Sequence, residues 1–477
     1  MTKPCDLSAV EARRLIGARK LSPVELLESC LERIEAVNPA LNAIVAMDTE
    51  TARQDAKVAE DAVMRGEELG LLHGLPIGIK DLQATRGLRT TWGSLIYKDH
   101  VPQRDDATVA NVRDQGGIIL AKTNTPEFGA GSNTRNRVYG ATGNPFESVK
   151  TCGGSSGGSA VALATGMLPL ATGSDYGGSL RTPAAFCGVS GFRPSPGIVP
   201  APERSTAITP FAVNGPMGRT IEDAHLLLKA QIDLDKRDLF SSDDALQIPE
   251  VLPQIDVGSL RVAISADLGC SPIDTDIRRI FQERTASFRH LFAEAHDRDP
   301  DLGPVHDVFE TLRGIYFVGA HRERLEKHRD LLGPNVIDNT ERGLKLTATE
   351  IARAYTAQTK IYQGYLDFFD DVDVLICPAA SVSPFPHDQL SVTEINGEKM
   401  ATYMRWLSIT YALTTAVPAV AVIPCGVDHL GMPFGIQIAG PNGSDALVLA
   451  IAHALERVLA DDKATARPVA DLKTLTG

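Results

Sequence analysis

The sequence has no paired cysteine spacing and no positively charged stripe. Its cysteines are odd in number and scattered without a CxxC pair: Cys5, Cys30, Cys152, Cys187, Cys270, Cys377 and Cys425. Such a set predicts reduced thiols and offers no metal-binding cluster. The formal net charge of -13, without a basic stripe carrying interleaved aromatics, argues against nucleic acid as a ligand.

A long apolar run is also missing. The two longest, residues 159–172 and 411–427, are shorter than the roughly 20 residues of a membrane span. Proline interrupts both, at Pro169 in the first and at Pro418 and Pro424 in the second. No apolar stretch follows the single lysine near the N-terminus, so no secretory signal is visible. We therefore expect a soluble, cytoplasmic protein without membrane contact.

What is present is an ordinary globular composition, with 43% hydrophobic and 22% charged residues in a chain of 477. Short apolar segments alternate with helical patterns, which indicates an α/β layer structure. Strands are predicted at 71–81, 117–122, 168–172, 260–264, 371–378, 416–424 and 435–440, and helices at 107–115, 159–166, 274–297, 307–332 and 446–459. We interpret the charged helices within 265–365 as peripheral cover or an insertion.

The stretch from Thr151 to Arg181 carries two serines framed by glycines. Gly153, Gly154, Gly157 and Gly158 surround Ser155, whereas Gly177 and Gly178 directly precede Ser179. Such glycine density favours a surface of exposed backbone N–H groups. A hydroxyl beside such groups has the outline of a nucleophile next to an oxyanion hole.

Other interpretations of this stretch stay open at this point. A GGSSGG segment alone is often only a loop. Residues 153–157 also match the G-x-S-x-G nucleophile elbow of α/β-hydrolases, but residues 145–151 lack the apolar entry strand, and His225, His387 and His453 lie in no turn suited to catalysis. A phosphate loop has little support, since neither G-x-x-x-x-G-K-[ST] nor a strand followed by G-x-G-x-x-G occurs.

Two long motifs in order resemble the amidase signature family. Residues 153–159 read GGSSGGS, and residues 173–181 read GSDYGGSLR. Supporting pieces match upstream, from Gly74 to Asp81, and downstream, from Pro183 to Gly188. The resemblance implies an α/β fold in one domain over residues 1–477, with a central twisted mixed sheet covered by helices on both faces. Its signature core would span 73–220, with helical cover at 265–365 and completion of the core at 371–460.

The resemblance also implies a Ser-Ser-Lys triad. Ser179 would be the nucleophile that forms an acyl-enzyme, Ser155 the bridging serine and Lys80 the base. A lysine at its reference pKa of about 10.4 is protonated at neutral pH, so burial must favour the neutral amine. The apolar residues before Lys80 suit that requirement. The family's cis peptide bond would lie between Gly154 and Ser155.

The oxyanion hole implied by the resemblance consists of the backbone N–H groups of Tyr176, Gly177, Gly178 and Ser179. Asp175 and Arg181 are expected to support this loop rather than act on substrate. Tyr176 differs from the commoner residue of the family, so its ring is a candidate for influencing substrate choice.

The implied activity is hydrolysis of a small, uncharged or aryl carboxylic amide, or a related anilide or hydrazide. Asn133, Tyr176 and Trp406 are the candidate substrate-binding residues. The alternative is the glutamine-hydrolysing subunit of a tRNA-dependent amidotransferase, but residues 403–411 contain no carboxylate for the amino group of glutamine. A non-catalytic scaffold is disfavoured because all three triad positions are filled. No cofactor or metal is expected, and the resemblance allows a homodimer.

Overall fold

A computed structural model describes residues 3–476. The α-helices are α1 (Ala9–Gly17), α2 (Pro23–Leu41), α3 (Thr49–Arg65), α4 (Ala107–Asp114), α5 (Gly157–Ala164), α6 (Arg181–Cys187), α7 (Ile221–Gln231), α8 (Thr275–Phe288), α9 (Val305–His328), α10 (Pro334–Leu344), α11 (Ala348–Phe368), α12 (Ser408–Thr415) and α13 (Asp445–Ala460). The strands are β1 (Ile44–Met47), β2 (Pro76–Lys80), β3 (Ile118–Thr123), β4 (Arg135–Asn136), β5 (Gly140–Ala141), β6 (Leu170–Asp175), β7 (Ser190–Arg193), β8 (Val213–Gly218), β9 (Arg261–Ile264), β10 (Glu294–Asp297), β11 (Val374–Pro378), β12 (Glu394–Ile395), β13 (Glu398–Lys399), β14 (Ala419–Val427) and β15 (Pro433–Gly440).

One mixed sheet runs through the whole fold. Its 11 strands lie in the order β1-β3-β2-β6-β8-β7-β14-β15-β11-β9-β10. The pairs β3–β2, β2–β6, β11–β9 and β9–β10 are parallel, and the remaining neighbours are antiparallel. Helices α5, α6, α7 and α13 pack on this sheet. The predicted α/β fold with a central mixed sheet flanked by helices is therefore confirmed.

Continuous burial explains why the strands lack a simple alternation of apolar and polar residues. Every residue of β2, β3, β11 and β15 is buried, as expected for strands covered on both faces. Two large apolar clusters form most of the described interior, one around β2, β3 and α5 and the other around β9, β11, β14 and β15. A smaller third cluster includes Phe317 of α9.

The segment interpreted from sequence as helical cover contributes more than that to the fold. The sequence pattern predicts a helix that continues through residues 294–297, but these residues form β10, which pairs in parallel with β9 at the edge of the main sheet. Helix α9 is also not peripheral, because Phe309 is fully buried and its ring stacks on Tyr411 with centroids 4.2 Å apart. Most charged residues of α9 lie on its outer face, although Arg313 is buried, and they hide the inner apolar contacts in the sequence pattern.

Among residues 3–476, no helix has both the length and the apolar character needed to cross a bilayer.

Substitution of Leu375 by alanine tests the importance of the C-terminal core. Leu375 is fully buried in β11, between Ala439 of β15 and Ala263 of β9. Loss of its side chain leaves a cavity and should destabilise the protein by about 2–5 kcal/mol. The measurement is the midpoint of thermal unfolding at a fixed scan rate. The matched control is Leu246→Ala, whose side chain is 62% exposed and should change stability by under about 0.5 kcal/mol. Equal shifts in the two variants would contradict this account of the core.

Candidate active site

The parallel pairing of β2 and β6 brings distant parts of the sequence to one edge of the sheet. Ile77 pairs with Leu170 and Gly78 with Ala171, so the carboxyl ends of both strands point the same way. β2 ends at Lys80 and β6 ends at Asp175. Parallel strand ends are where α/β proteins commonly place their ligand sites.

The two predicted serines approach this edge from loops that lead into helices. Ser155 lies two residues before α5, and Ser179 lies two residues before α6. The backbone N–H of Ser156 donates to the carbonyl of Ser179 at 3.2 Å, which joins the two loops directly. The peptide bond between Gly154 and Ser155 is cis, as the resemblance implied.

The amine of Lys80 lies inside a cage of hydroxyl groups. Its Nζ is 2.8 Å from Ser155 Oγ, 2.8 Å from Ser156 Oγ and 2.9 Å from Ser174 Oγ. The carbonyl of Ser174 lies 3.3 Å away. Lys80 itself is 0% exposed, so no bulk water solvates the amine.

Burial lowers the pKa of Lys80 well below its ordinary value, although the nearby Asp175 carboxylate acts in the opposite direction. The neutral amine then has two N–H donors and one lone pair. With three hydroxyls around it, two can accept from the amine and one can donate to the lone pair. The arrangement can therefore take a proton from a serine, which a charged ammonium cannot do.

Asp175 is fully buried and is held between two arginines. Its Oδ1 lies 2.9 Å from Arg181 Nη2 and 3.1 Å from Arg193 Nη1. Burial alone would raise the pKa of Asp175, but the two guanidinium groups outweigh it and hold the pKa below its usual range. The carboxylate also accepts from the N–H groups of Gly178 (2.9 Å) and Leu180 (3.1 Å). Asp175 and Arg181 thus hold the loop that contains Ser179.

This loop has room only for glycine at residue 178. Gly178 has φ +123°, and a Cβ there would lie 2.2 Å from Thr410 Oγ1. Its N–H is already donated to Asp175, so Gly178 differs from the expectation that it contributes to an oxyanion hole. The N–H groups of Tyr176, Gly177 and Ser179 donate to no protein acceptor within residues 3–476. Those three are the donors that the loop can offer.

A cavity of about 200 Å³ opens beside the lysine cage. Ser155, Ser174 and Ser179 line it on one side. Aromatic and apolar side chains line much of the rest, together with several charged groups: Leu82, Phe128, Tyr176, Val213, Tyr316 and Phe317, with Asp106, Glu203, Arg204 and Arg313. Its volume is below the roughly 300–1,000 Å³ of sites for drug-sized ligands, so the cavity suits a small molecule.

Of the three residues predicted from sequence to bind substrate, only Tyr176 lines this cavity. Trp406 is 1% exposed and packs edge-on against Phe385, with ring centroids 5.4 Å apart, so it belongs to the core. Asn133 lines a neighbouring cavity. Its amide donates to the carbonyls of His387 and Gln389, which makes it a connector of loops.

Several residues of the site escaped the sequence analysis. The sequence could have indicated Ser174, since this residue precedes Asp175 in the GSDYGGS segment of the family motif. Helical spacing could also have pointed to three residues of α9, because positions i, i+3 and i+4 share one face of a helix. These are Arg313, Tyr316 and Phe317. Arg193 lies in a turn-rich region with no pattern that pointed to Asp175.

A metal-based site has no candidate in the described part of the chain. Among residues 3–476, no three His, Cys, Asp or Glu side chains are grouped so that they could hold a metal ion.

Comparison with known proteins agrees with the fold and the motifs. The family model described as Amidase matches residues 25–449. The chain belongs to the amidase signature family. It is similar to an acylamidase of Rhodococcus erythropolis, with 34% identity over 98% of this chain and 97% of that protein. Membership of this family makes it an amide-hydrolysing enzyme.

Two further similarities describe the range of the family. A glutamyl-tRNA(Gln) amidotransferase subunit from Picosynechococcus sp. is 31% identical over 93% of this chain and 96% of that protein. Among solved structures, a bacterial aryl acylamidase of the amidase signature family superposes with a TM-score of 0.85. That match has 28% identity and covers 94% of this chain and 96% of the other.

Replacement of Asp175 by asparagine tests the buried charge network. The variant keeps the shape but leaves Arg181 and Arg193 without their shared counter-charge, which should destabilise the protein by about 3–5 kcal/mol. The measurement is thermal unfolding at neutral pH. The control is Asp276→Asn, which breaks an exposed pair with Arg279 in which both side chains are about half exposed.

The pH dependence of that difference has a defined sign. Because the pKa of Asp175 is lowered on folding, its stabilising effect is present above the ordinary aspartate value of 3.8 and is lost as pH falls below it. The difference in thermal stability between the wild-type enzyme and Asp175→Asn should therefore become smaller in acid. If Asp175→Asn and the control Asp276→Asn lost the same stability at neutral pH, the proposed role of the buried charge network would be contradicted.

Proposed function

We propose that this protein hydrolyses a small aryl amide or anilide through an acyl-enzyme on Ser179. The observation that carries the proposal is the buried Lys80 amine, 2.8 Å from the Oγ of Ser155. Ser155 in turn lines the cavity together with Ser179. Ser155 bridges the base and the nucleophile. The other two hydroxyls of the cage, Ser156 and Ser174, orient the amine.

In the proposed reaction, Ser179 Oγ attacks the carbonyl carbon of the amide. Its proton passes to Ser155 Oγ, and the proton of Ser155 passes to the lone pair of Lys80. The negative charge that develops on the carbonyl oxygen is stabilised by the N–H groups of Tyr176, Gly177 and Ser179. The tetrahedral intermediate then collapses, and the leaving nitrogen takes a proton back through Ser155.

The acyl-enzyme is released by the same groups. A water molecule replaces the amine product and loses a proton to the Ser155–Lys80 pair as it attacks the ester carbonyl. Ser179 leaves as a hydroxyl group when that proton is returned. The sum is the addition of water across the C–N bond, with no change in the enzyme.

The shape of the cavity favours an aromatic group in the substrate. Tyr176 packs against Tyr316 with ring centroids 4.9 Å apart, and Phe317 lies next to Tyr316 at 6.1 Å. A flat substrate ring can pack against this cluster of rings, because aromatic pairs are attractive beyond their buried area. The similarity to an acylamidase and to an aryl acylamidase supports the same choice.

The second candidate is glutamine hydrolysis for a transamidation complex, which the similarity to glutamyl-tRNA(Gln) amidotransferase subunits favours. Glutamine would need a carboxylate for its amino group. Of the acids in the cavity, Asp175 is paired with two arginines, Glu203 accepts from the N–H of Ala107 and Asp106 accepts from that of Ala84. These contacts favour the aryl amide.

A cytoplasmic location is part of the proposal. All seven cysteines are free thiols. A reducing compartment keeps thiols in that state.

Labelling with a fluorophosphonate followed by peptide mapping should identify Ser179 as the modified residue. Ser179→Ala should lose the label and at least about 10³-fold of kcat for aryl amides. The control Ser287→Ala changes an exposed serine of α8 and should retain both. Undiminished turnover in Ser179→Ala, or labelling of another serine, would overturn the mechanism. Faster release of ammonia from glutamine than from aryl amides would favour the second candidate.

The pH dependence of kcat/KM should report the neutral amine of Lys80. Activity requires the unprotonated form, so it should fall as pH decreases through the pKa of Lys80, which burial holds well below 10.5. Lys80→Arg should be inactive at every pH because a guanidinium stays protonated. Lys57→Met, at a lysine with a side chain 61% exposed, should leave the profile unchanged. A rate that keeps rising until about the ordinary lysine pKa would contradict a buried base.

A further inference from the structure

The cavity contains one buried arginine without an acidic partner. Arg313 of α9 is 5% exposed and lines the cavity. Its Nε donates to Asn339 Oδ1 at 3.0 Å, and its Nη2 donates to the Tyr403 hydroxyl at 2.9 Å. Within residues 3–476, no carboxylate lies within 4.0 Å of its guanidinium, and Nη1 donates to no protein group. Both N–H groups of Nη1 and the second N–H of Nη2 are therefore left to donate.

The other arginine of the cavity and the nearest acid on α9 already have ionic partners. Arg204 pairs with Asp238 at 2.9 Å. The carboxylate closest to Arg313 along its own helix, Glu310, lies 3.3 Å from Arg405 and 3.9 Å from Arg342. The acids of the cavity, Asp175, Glu203 and Asp106, have the partners described above. Glu203 and Asp106 accept only from backbone N–H groups, but neither lies within 4.0 Å of the Arg313 guanidinium. Among the described residues, Arg313 is thus the arginine of the cavity that has no carboxylate partner.

The guanidinium is held in place by its neighbours. Its Cζ lies 4.6 Å from the ring centroid of Phe317 and 5.5 Å from that of Tyr176. Asn339 also donates to the Tyr403 hydroxyl at 2.6 Å, so the two polar partners are themselves connected. Contacts with aromatic faces and neutral acceptors offset only part of the unfavourable burial of a cation. An anion that enters the cavity would supply the remainder.

We propose that Arg313 binds a carboxylate of the substrate, so that the enzyme prefers aryl amides that carry an acidic group. This rests on the proposed function and narrows its substrate class. The aryl ring would pack against Tyr176, Tyr316 and Phe317, while the carboxylate accepts from Nη1. A single guanidinium balances the one negative charge of a carboxylate. A phosphate group is bound best by several cationic side chains.

A substrate carboxylate bound by Arg313 differs from the uncharged substrate that the sequence led us to expect. That expectation came from residues 403–411, where no carboxylate is available for a substrate amine. The same segment supplies Tyr403, whose hydroxyl accepts from Arg313. It therefore supports a positive charge in the cavity, which selects for an acid rather than for an amine.

The test compares substrates that differ in charge but hardly in shape. The pairs are 4-carboxybenzamide with 4-nitrobenzamide, 3-carboxybenzamide with 3-nitrobenzamide, and the acetanilides bearing 4-carboxy or 4-nitro groups. In at least one pair, kcat/KM should be about 10- to 100-fold higher for the carboxylate after correction for the electronic effect measured in hydroxide-catalysed hydrolysis. Equal values in every pair would overturn the proposal without affecting the proposed function.

Variants of Arg313 assign any preference to this residue. Arg313→Gln should reduce the carboxylate-to-nitro ratio of kcat/KM to about one, whereas Arg313→Lys should retain part of it. The matched control is Arg322→Gln on the same helix, with a side chain 62% exposed, which should keep the ratio of the wild-type enzyme. A ratio unchanged in Arg313→Gln would overturn the proposal.

Binding to an inactive enzyme makes the test independent of turnover. Calorimetry with Ser179→Ala should give a lower Kd for the carboxylate of the preferred pair than for its nitro partner. Adding Arg313→Gln should remove that difference. If no carboxylate binds to Ser179→Ala more tightly than its nitro partner, the inference fails. If the carboxylate binds but wild-type enzyme hydrolyses no amide of the panel, the proposed function fails instead.

Discussion

The burial of the Lys80 amine is the constraint on which the rest of the site depends. Out of water, an ammonium would be strongly unfavourable, so the neutral form is favoured, and three serine hydroxyls satisfy it. The Asp175 carboxylate nearby works against this, because a negative charge raises the pKa of Lys80. Arg181 and Arg193 hold Asp175 as a pair of counter-charges. The two arginines therefore favour the neutral form of Lys80, the proposed base, and also hold the loop that contains Ser179.

This local chemistry needs the sheet to bring its parts together. Lys80 and Ser155 are separated by 75 residues. The parallel pairing of β2 with β6 and the packing of α5 on both strands bring their segments together. The absence of side chains at the glycines then decides how closely the loops approach. At Gly178, a methyl group would meet Thr410 of α12, an element more than 200 residues away in sequence. The C-terminal third of the chain thus restricts the conformation of the loop that contains Ser179, although it contributes no proposed catalytic group.

The sequence predicted the parts of the molecule that are encoded locally. The alternation of apolar segments and helical patterns predicted the α/β fold, and two short motifs, residues 153–159 and 173–181, indicated the family and the cis bond before Ser155. These predictions are confirmed. Residues that act through distant packing could not be read in the same way. Arg193 reaches Asp175 only after β7 folds into the sheet, and Trp406 lies in the core because its ring meets Phe385. The prediction that α9 is outer cover was wrong for the same reason, because it depends on distant packing. The polar surface of α9 dominates the sequence pattern, while its inner face packs on Tyr411.

Catalytic and selective groups consequently come from different parts of the chain. The hydroxyl cage of Lys80 and the loop proposed to form the oxyanion hole lie within residues 80–179, in the segment that the family motifs mark. Arg313, Tyr316 and Phe317 come from α9, which the motifs do not include, yet they line the same cavity. A helix that contacts the cavity but not the reacting atoms can change its side chains without disturbing the base or the nucleophile. That separation gives a physical reason why this chain can be similar both to an acylamidase and to an amidotransferase subunit, and it is why our substrate proposal depends on Arg313 of α9.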